Sequence, residues 1–278
     1  MTDRHMETIT MDGVQITLTL PDSLNFNWIG QEDVLKQLLA SWLVIDDRDI
    51  PLNPRLIGKP GVGKTTLAFA ASQMLKKDVY IFQATMDTRP EDLLITPVIA
   101  EGGHVRYCAS SLVTAMIKGG ICILDEGNRM SEKAWASLAP LLDTRRYIES
   151  IIAGLKVHAH KDFRFVATMN DDSSTYEIPE YIHSRLQPQI FIDFPEEEEE
   201  KLILKENLPF VKEEILNYVV NFLQKAHFNQ ANYTIRDGIN IARYAAKRIE
   251  DLGGDVPIEG LLRQSITMNL GEEALGFL

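Results

Sequence analysis

The sequence is poor in cysteine and lacks long apolar runs. It holds two cysteines among 278 residues and no CxxC pair, which is typical of a reducing compartment. No run approaches the roughly 18 apolar residues of a membrane-spanning helix, so no transmembrane span is predicted. The first residues, MTDRHMETIT, contain no apolar signal-peptide core. Together these absences predict a cytoplasmic protein.

Basic residues are also scarce. Lysine and arginine total 28 against 40 acidic residues, which gives a net charge of −12. Proteins that bind nucleic acid usually carry a basic face that neutralises phosphates. The total charge is compatible with a local basic groove, but the balance argues against a nucleic-acid partner. The hydrophobic share of 45% is ordinary for a soluble globular protein with a sizeable core.

Several catalytic and metal-binding arrangements are missing. The six histidines are scattered along the chain. His158 and His160 alternate along one predicted strand, but no third ligand accompanies them, so no zinc site is predicted. Neither a Ser-His-Asp nor a Cys-His arrangement can be argued. The chain also shows no internal repeat and no low-complexity linker.

What is present is an alternation of strand and helix. Residues 8–19 alternate β-formers around Asp12-Gly13, which predicts a hairpin. An amphipathic pattern from Glu32 to Leu43 predicts a helix, and the alternation beyond it favours a parallel α/β sheet. The predicted strands are Arg55–Ile57, Asp78–Phe82, Ile121–Leu124, Phe163–Thr168 and Gln189–Phe194, and the predicted helices between them include Lys64–Lys76 and Ser131–Leu142.

Pro195 and five glutamates open a different, helical region. A proline followed by acids is a good N-terminal signal for a helix, and Glu196–Glu200 are expected to form its solvated face. Further helices are predicted at Glu213–Ala226, Arg236–Leu252 and Glu259–Asn269. The predicted organisation is therefore an N-terminal β-hairpin extension (1–24), an α/β core (25–194) and a small helical domain (195–278).

The strongest motif runs from Gly58 to Thr65 and matches GxxxxGK[ST] between a predicted strand and a predicted helix. Its glycines let backbone N–H groups cradle phosphate oxygens at a helix N-terminus. Lys64 would place its charge on the β- and γ-phosphates, and the Thr65 hydroxyl would bind Mg²⁺. The pattern predicts a site for ATP and Mg²⁺. The residues expected at the nucleotide are Gly58, Pro60, Gly61, Val62, Gly63, Lys64, Thr65 and Thr66.

A second motif is the apolar run from Gly120 to Leu124, which ends in Asp125 and Glu126. A run this dense is typical of a strand buried on both faces of a parallel sheet. Its C-terminal carboxylates would then lie beside the Gly58–Thr65 motif (the P-loop), where open α/β sheets bind ligands. Asp125 is expected in the Mg²⁺ shell, and Glu126 is expected to orient or deprotonate the attacking water.

The order of these motifs resembles the AAA+ ATPases, and more narrowly the MoxR branch with its CbbQ, NorQ and dynein-related relatives. The P-loop is followed by Leu124-Asp125-Glu126, then by Ala167-Thr168-Met169-Asn170, then by Ser184-Arg185. Further supporting stretches are Pro90–Leu93, Asp125–Arg129, Leu141–Asp143 and His160–Arg164. The resemblance implies a P-loop core with a five-stranded parallel sheet flanked by helices, followed by a small C-terminal helical lid.

The resemblance also implies roles for single residues. Asn170 matches the sensor-1 position, which contacts the γ-phosphate or the attacking water. Arg185 matches the arginine finger that reaches a neighbouring subunit's nucleotide. Arg236 matches sensor 2 on the lid, and the segment holding Ile29 and Gly30 is expected near the adenine.

Other segments carry open alternatives. Arg129, Arg145 and Arg146 could reach across a subunit interface or be exposed helix-end arginines. Hairpins are expected at Pro97–Arg106, turning at Gly102-Gly103, and at Tyr147–His158, turning at Ala153-Gly154. In related proteins such hairpins line a central pore or engage partners, but their apolar residues could also pack on the core.

The resemblance implies a MoxR-like ATPase that forms a ring, a hexamer, and remodels a client protein, often one with a von Willebrand factor A domain. The first alternative is a McrB-like GTPase or a nucleic-acid-associated motor. Against it, the sensor-1 segment continues here as Asn170-Asp171-Asp172 and not as Asn-Thr-Ala-Asp. A second alternative is a small-molecule kinase, which the helical region and the Asn170 and Arg185 landmarks disfavour.

Overall fold

The computed structural model describes residues 6–24, 27–100, 103–171, 178–253 and 257–278. The chain groups into two compact units. The first comprises Met1–Asn25, Asp33–Gly58 and Lys64–Phe191, and the second comprises Phe26–Glu32, Lys59–Gly63 and Ile192–Leu278. The N-terminal segment thus groups with the α/β core, and residues 59–63 of the P-loop group with the C-terminal helices. The predicted division at residues 24 and 194 stays a prediction.

The elements of the α/β part alternate along the chain. The strands are β1 (Thr8–Met11), β2 (Val14–Thr17), β3 (Arg55–Gly58), β4 (Val79–Gln83), β5 (Ile95–Ile99), β6 (Val105–Ala109), β7 (Ile121–Asp125), β8 (Tyr147–Ser150), β9 (Leu155–His158), β10 (Arg164–Asn170) and β11 (Gln189–Phe191). The helices are α1 (Glu32–Trp42), α2 (Lys64–Met74), α3 (Ser111–Lys118), α4 (Glu132–Leu138) and α5 (Glu180–His183).

Five parallel strands form the central sheet, in the order β11-β3-β10-β7-β4. All of β10 is buried, and so is β7 except for its last residue, as expected for a parallel sheet covered on both faces. The Trp42 indole donates to the Phe165 carbonyl at 3.0 Å, and the Arg164 Nε donates to the Trp42 carbonyl at 2.8 Å, so α1 is fixed against β10. The predicted fold class, a parallel five-stranded sheet with flanking helices and C-terminal helices, is confirmed.

The predicted hairpins are present, each within the limits of the described residues. β1 and β2 pair around Asp12-Gly13 and extend into a four-stranded sheet of order β1-β2-β6-β5. The hairpin expected at Pro97–Arg106 lies within the antiparallel pair β5–β6. Gly102 of its expected turn lies outside the described residues. β8 and β9 pair antiparallel around the turn at Ala153-Gly154, where Gly154 has a φ of +66°.

Two predicted elements end three or more residues before their expected last residue. The helix predicted to reach Leu142 ends at Leu138, because Pro140 offers no backbone N–H and its ring clashes with a preceding helical turn. The strand predicted to reach Phe194 ends at Phe191. Residues beyond it group with the second unit, where the Asp193 carbonyl accepts a hydrogen bond from a glutamine side chain instead of a strand neighbour.

The second unit holds the C-terminal helices. They are α6 (Glu197–Asn207), α7 (Glu213–Phe228), α8 (Ile235–Asp251) and α9 (Ile258–Leu270). Their shared apolar core includes Leu204, Leu223 and Ile241. α8 begins with a capping box, in which the Asp237 carboxylate accepts from both the backbone N–H and the hydroxyl of Thr234, each at 2.8 Å. Within the described part of the chain, no helix is long and apolar enough to cross a membrane.

The expectation of a solvated glutamate face is wrong at one position. Glu200 is fully buried, and the Gln224 side-chain amide donates to its Oε2 at 2.8 Å. Burial raises the pKa of Glu200 to about 7. The cause is the first turn of α6, which directs this carboxyl into the helical core while Glu196, Glu197 and Glu198 stay exposed.

Candidate active site

The P-loop joins β3 to α2 and is shaped by two glycines. Gly61 and Gly63 have φ values of +84° and +99°, which side chains with a Cβ rarely adopt. Lys64 begins α2, is buried, and donates from Nζ to the Gly58 carbonyl at 2.9 Å. The loop therefore brings a buried ammonium group and a helix N-terminus to the carboxyl end of β3.

The other predicted P-loop residues differ in exposure. Pro60 is exposed, Val62 is buried, and Thr66 is half-buried in the first turn of α2. A Cβ on Gly61 would lie 2.7 Å from the hydroxyl oxygen of Thr234, so the loop passes very close to the start of α8 within the second unit.

The two residues predicted to bind Mg²⁺ contact each other. The Thr65 hydroxyl donates to Asp125 Oδ1 at 2.9 Å, and the Thr168 hydroxyl donates to the same oxygen at 2.5 Å. Mg²⁺ prefers oxygen ligands and usually takes few of them from the protein, completing its shell with phosphates and water. A hydroxyl and a carboxylate at this edge of the sheet fit such a cation. Among the described residues, no cluster of three or more His, Cys, Asp or Glu side chains offers a denser metal site.

Glu126 stands at a left-handed backbone position directly after β7. Its φ is +55°, and its N–H donates to the Thr168 hydroxyl at 3.0 Å. Its Oε2 forms an ion pair with the Arg129 Nε at 2.8 Å, and its Oε1 accepts from the Asn170 side-chain amide at 3.4 Å. The Thr168 hydroxyl thus fixes both acidic residues, because it donates to the Asp125 carboxylate and accepts from the Glu126 N–H. Sequence reasoning did not assign Thr168 a role, although it lies within the quoted stretch before Asn170.

Asn170 is fixed at the end of β10, directly across from Gly58 at the end of β3. It pairs in register with Gly58, and the next residue, Asp171, donates from its N–H to the Gly58 carbonyl at 3.2 Å. The buried Asn128 side chain bonds to the backbone of Asn170. Sequence reasoning also missed this function of Asn128. Its side chain follows the acidic pair by only two residues, but the strand that it contacts lies far along the chain.

The arginine predicted to act across a subunit interface lies apart from these groups. Arg185 donates to the Tyr181 carbonyl, and its Nε lies 3.6 Å from the Asp143 carboxylate. Within the described residues, Arg185 forms no hydrogen bond or ion pair with Asp125 or Glu126. Arg145 also binds Asp143, whereas Arg146 donates to the Phe163 carbonyl at 3.1 Å and covers that ring.

The second unit holds the remaining predicted site residues. Arg236 is exposed in the first turn of α8, two residues after Thr234. Ile29 is half-buried. Gly30 has a φ of +75°, and a Cβ there would lie 2.2 Å from the Glu199 carboxylate, which accepts from the following backbone N–H at 2.9 Å.

Known proteins resemble this chain in sequence and in fold. Residues 55–186 match the AAA domain of the dynein-related subfamily. An uncharacterized protein of Staphylococcus epidermidis is 26% identical over 231 residues, which cover 80% of this chain and 85% of that protein. The von Willebrand factor A domain-containing protein 8 of Mus musculus is 24% identical over 267 residues, which cover 88% of this chain and 13% of that protein.

Among solved structures, a mutant of RuvB from Thermotoga maritima matches with a TM-score of 0.61. The match covers 89% of this chain and 73% of the RuvB chain, at 17% identity. A likeness at this identity concerns the fold alone.

Proposed function

We propose that this ATP-hydrolysing P-loop protein, whose residues 55–186 match the AAA domain of the dynein-related subfamily, is a MoxR-like ATPase that works in a hexameric ring. In this proposal, ATP hydrolysis drives the remodelling or activation of a client protein in the cytoplasm. The observation that carries the proposal is the joint placement of Thr65, Asp125, Glu126 and Asn170 at one edge of the parallel sheet.

The side chains at this edge suit each step of phosphoryl transfer to water. Backbone N–H groups of the P-loop and the Lys64 ammonium would hold the phosphates, while Thr65 and Asp125 would hold Mg²⁺. When bound there, Mg²⁺ would supply positive charge against the negative charge that develops on the phosphate oxygens. Glu126 accepts the proton of the attacking water, and Asn170 orients that water or the γ-phosphate. Arg129 holds the second oxygen of Glu126 and so limits the directions that the carboxylate can face.

The remaining assignments concern groups outside this edge. Arg185 contacts Asp143 and Tyr181, and it would act on the nucleotide of a neighbouring subunit. Arg236 would touch the phosphates from the helical lid. Ile29 and Gly30 would pack near the adenine. Hydrolysis within the ring of subunits would then drive movement of the helical lid.

One relative supports the proposed class of client protein. That relative is named for a von Willebrand factor A domain, and 88% of this chain aligns with only 13% of it. We propose that the client of this chain is a separate protein that carries such a domain. The RuvB likeness supports the fold and carries no argument for a nucleic-acid substrate.

The proposal is tested by measuring turnover and molar mass together. Wild type and Glu126→Gln are compared by ATPase assay and by light scattering, with and without ATP and Mg²⁺. The amide of Gln cannot accept a proton, so the variant should bind ATP and assemble into a ring without turnover. Lys133→Ala, an exposed change on α4, serves as the control and should behave as wild type.

Other outcomes contradict the proposal in distinct ways. A wild-type protein that stays monomeric in ATP argues against the ring. Turnover of GTP in preference to ATP favours the McrB-like alternative. Normal turnover by Glu126→Gln would mean that another group is the base.

A further inference from the structure

Two arginines share one carboxylate in the segment between α4 and β8. Asp143 accepts three hydrogen bonds from the Arg145 guanidinium, from Nη2 to Oδ2 at 2.7 Å and from Nε to Oδ1 at 3.0 Å and to Oδ2 at 3.2 Å. The Nε of Arg185 lies 3.6 Å from the same Oδ2. The Arg145 hydrogen bonds hold the pKa of Asp143 at about 2, so this carboxylate is charged at neutral pH. One negative charge therefore faces two positive ones.

The pairing of Arg145 with Asp143 is in part a local turn, because the same Asp-x-Arg turn occurs elsewhere. Arg48 donates from its backbone N–H to Asp46 Oδ1 at 2.7 Å and from Nη2 to Oδ2 at 3.3 Å. In the described part of the chain, no second arginine pairs with Asp46. The Asp46 side chain is 53% exposed, whereas the Asp143 side chain is 21% exposed. Asp143 differs from Asp46 because it also pairs with Arg185, which lies far along the chain.

A third cation lies in the same neighbourhood. The Lys156 ammonium on β9 is 4.5 Å from the centroid of the Tyr147 ring, and the Arg145 guanidinium is 5.8 Å from it. The Tyr147 ring attracts both cations through its electron-rich face. The Arg145 side chain nevertheless remains 52% exposed. A cluster of Asp143 and three cations, one of which is the exposed Arg145 guanidinium, is suited to an incoming anion.

We propose that Arg145 is a second arginine that contacts the triphosphate bound by the neighbouring subunit, and that Asp143 is the positioning residue that holds Arg145 and Arg185 on one face. This inference rests on the proposed function, in which Arg185 acts on the neighbouring nucleotide. Guanidinium groups bind phosphate oxygens through two parallel N–H donors. Without a shared carboxylate the two like charges would separate, and holding both side chains in one geometry would cost more entropy.

The test uses complementation in mixed rings. Rings of Arg145→Ala alone should keep the ATP affinity of wild type and lose at least tenfold in kcat, because the transition-state charge is less neutralised. Rings of Glu126→Gln alone lack the base. When the two variants are mixed, a site on an Arg145→Ala subunit has its own Glu126 and receives Arg145 from the neighbour, so turnover should return.

Three matched variants complete the design. Arg48→Ala removes the arginine of the corresponding Asp-x-Arg turn and should leave kcat unchanged. Arg145→Lys keeps the charge without the paired donors and should recover only part of the rate. Asp143→Asn keeps the size of the side chain, and it should lower kcat with little change in KM and be complemented by Glu126→Gln subunits.

Failure of the inference differs from failure of the proposed function. If wild type forms active rings and Arg185→Ala lowers turnover, but Arg145→Ala behaves as Arg48→Ala, Arg145 is not part of the site. A rate loss in Arg145→Ala that Glu126→Gln subunits do not restore would place Arg145 in its own subunit's site and overturn the proposal. If Asp143→Asn loses turnover only in step with its melting temperature and is not complemented, the positioning role is wrong. If wild type forms no ring, both proposals fall together.

Discussion

The side-chain amide of Asn128 pairs with the backbone of Asn170 as a strand neighbour would. Its Nδ2 donates to the Asn170 carbonyl at 2.8 Å, and the Asn170 N–H donates to its Oδ1 at 3.4 Å. Both residues are at least nine-tenths buried. Asn128 lies in the turn after the acidic pair, so this contact fixes the spacing between Glu126 and the Asn170 side chain.

Replacing Asn128 by alanine should therefore affect stability and turnover together. The buried Asn170 carbonyl would lose its partner, which costs about 1–3 kcal/mol of unfolding free energy. Turnover should fall by roughly tenfold or more, because small displacements of positioning groups have large effects on rate. Urea denaturation and ATPase assays measure both quantities. The exposed Asn240→Ala on α8 is the control, and an Asn128 variant indistinguishable from it would contradict the role given to this contact.

Lys64 should be essential for nucleotide binding. Its ammonium group is buried at the start of α2 and donates to the Gly58 carbonyl, which keeps it within the P-loop. Lys64→Ala removes the point charge that faces the phosphates, so ATP affinity should fall below detection in titration calorimetry. Lys133→Ala removes an exposed positive charge from the same unit and should retain the wild-type affinity. Equal affinities for the two variants would refute the P-loop assignment.

Much of the sheet and its edge could be predicted because local pattern and chain order define them. The P-loop is a contiguous motif, and β7 is a dense apolar run that ends in two carboxylates, so their meeting at one edge follows from parallel topology. The functional roles of these residues stay predictions, as do the domain boundaries.

Three features that the sequence did not predict have a common physical cause, because each depends on a partner far along the chain. Thr168 binds Asp125 across neighbouring strands, and Asp143 receives an arginine about forty positions later. Glu200 sits among acids that are exposed, and only the packing of α6 against α7 decides that it is buried. The early end of α4 is different, because Pro140 stands in the sequence and could have indicated it.

Gly61 should not tolerate even the smallest side chain. Its φ is +84°, and a Cβ would lie 2.7 Å from the Thr234 hydroxyl oxygen. Gly13 has a nearly equal φ of +81° in the β1–β2 turn, where a Cβ would meet nothing within 4 Å. Gly13→Ala therefore measures the backbone strain alone, about 1 kcal/mol.

Gly61→Ala should lose the same stability through backbone strain and should also displace the P-loop. We expect its ATP affinity in calorimetry to fall at least tenfold, whereas Gly13→Ala should bind ATP as wild type does. If both alanine variants lose the same stability and bind ATP equally, the close approach of Gly61 to Thr234 has no functional weight.

Glu200 should make the stability of the protein depend on pH in a defined window. Its pKa is raised from the model-compound value of 4.5 to about 7, first by burial and then by the charge of Glu197. The folded state therefore binds this proton more tightly than the unfolded state does. The associated stability is fully present below about pH 4.5, falls as pH rises through 7, and is constant above that value. A shift of this size corresponds to a loss on the order of 3 kcal/mol.

Glu200→Gln should remove this dependence, because an amide of the same shape carries no proton to lose and can still accept from Gln224. In urea denaturation, the variant should match or fall slightly below wild type at pH 5 and exceed it at pH 8. Burial lowers the pKa of the nearby helical-core residue His227, which changes stability in the opposite direction, but it does so equally in both proteins. Glu198→Gln removes an exposed acid from the same helical turn, and its free energy of unfolding should change with pH as that of wild type does. If the free energy of unfolding of Glu200→Gln changes between pH 5 and pH 8 as that of wild type does, the buried carboxyl does not titrate near neutrality.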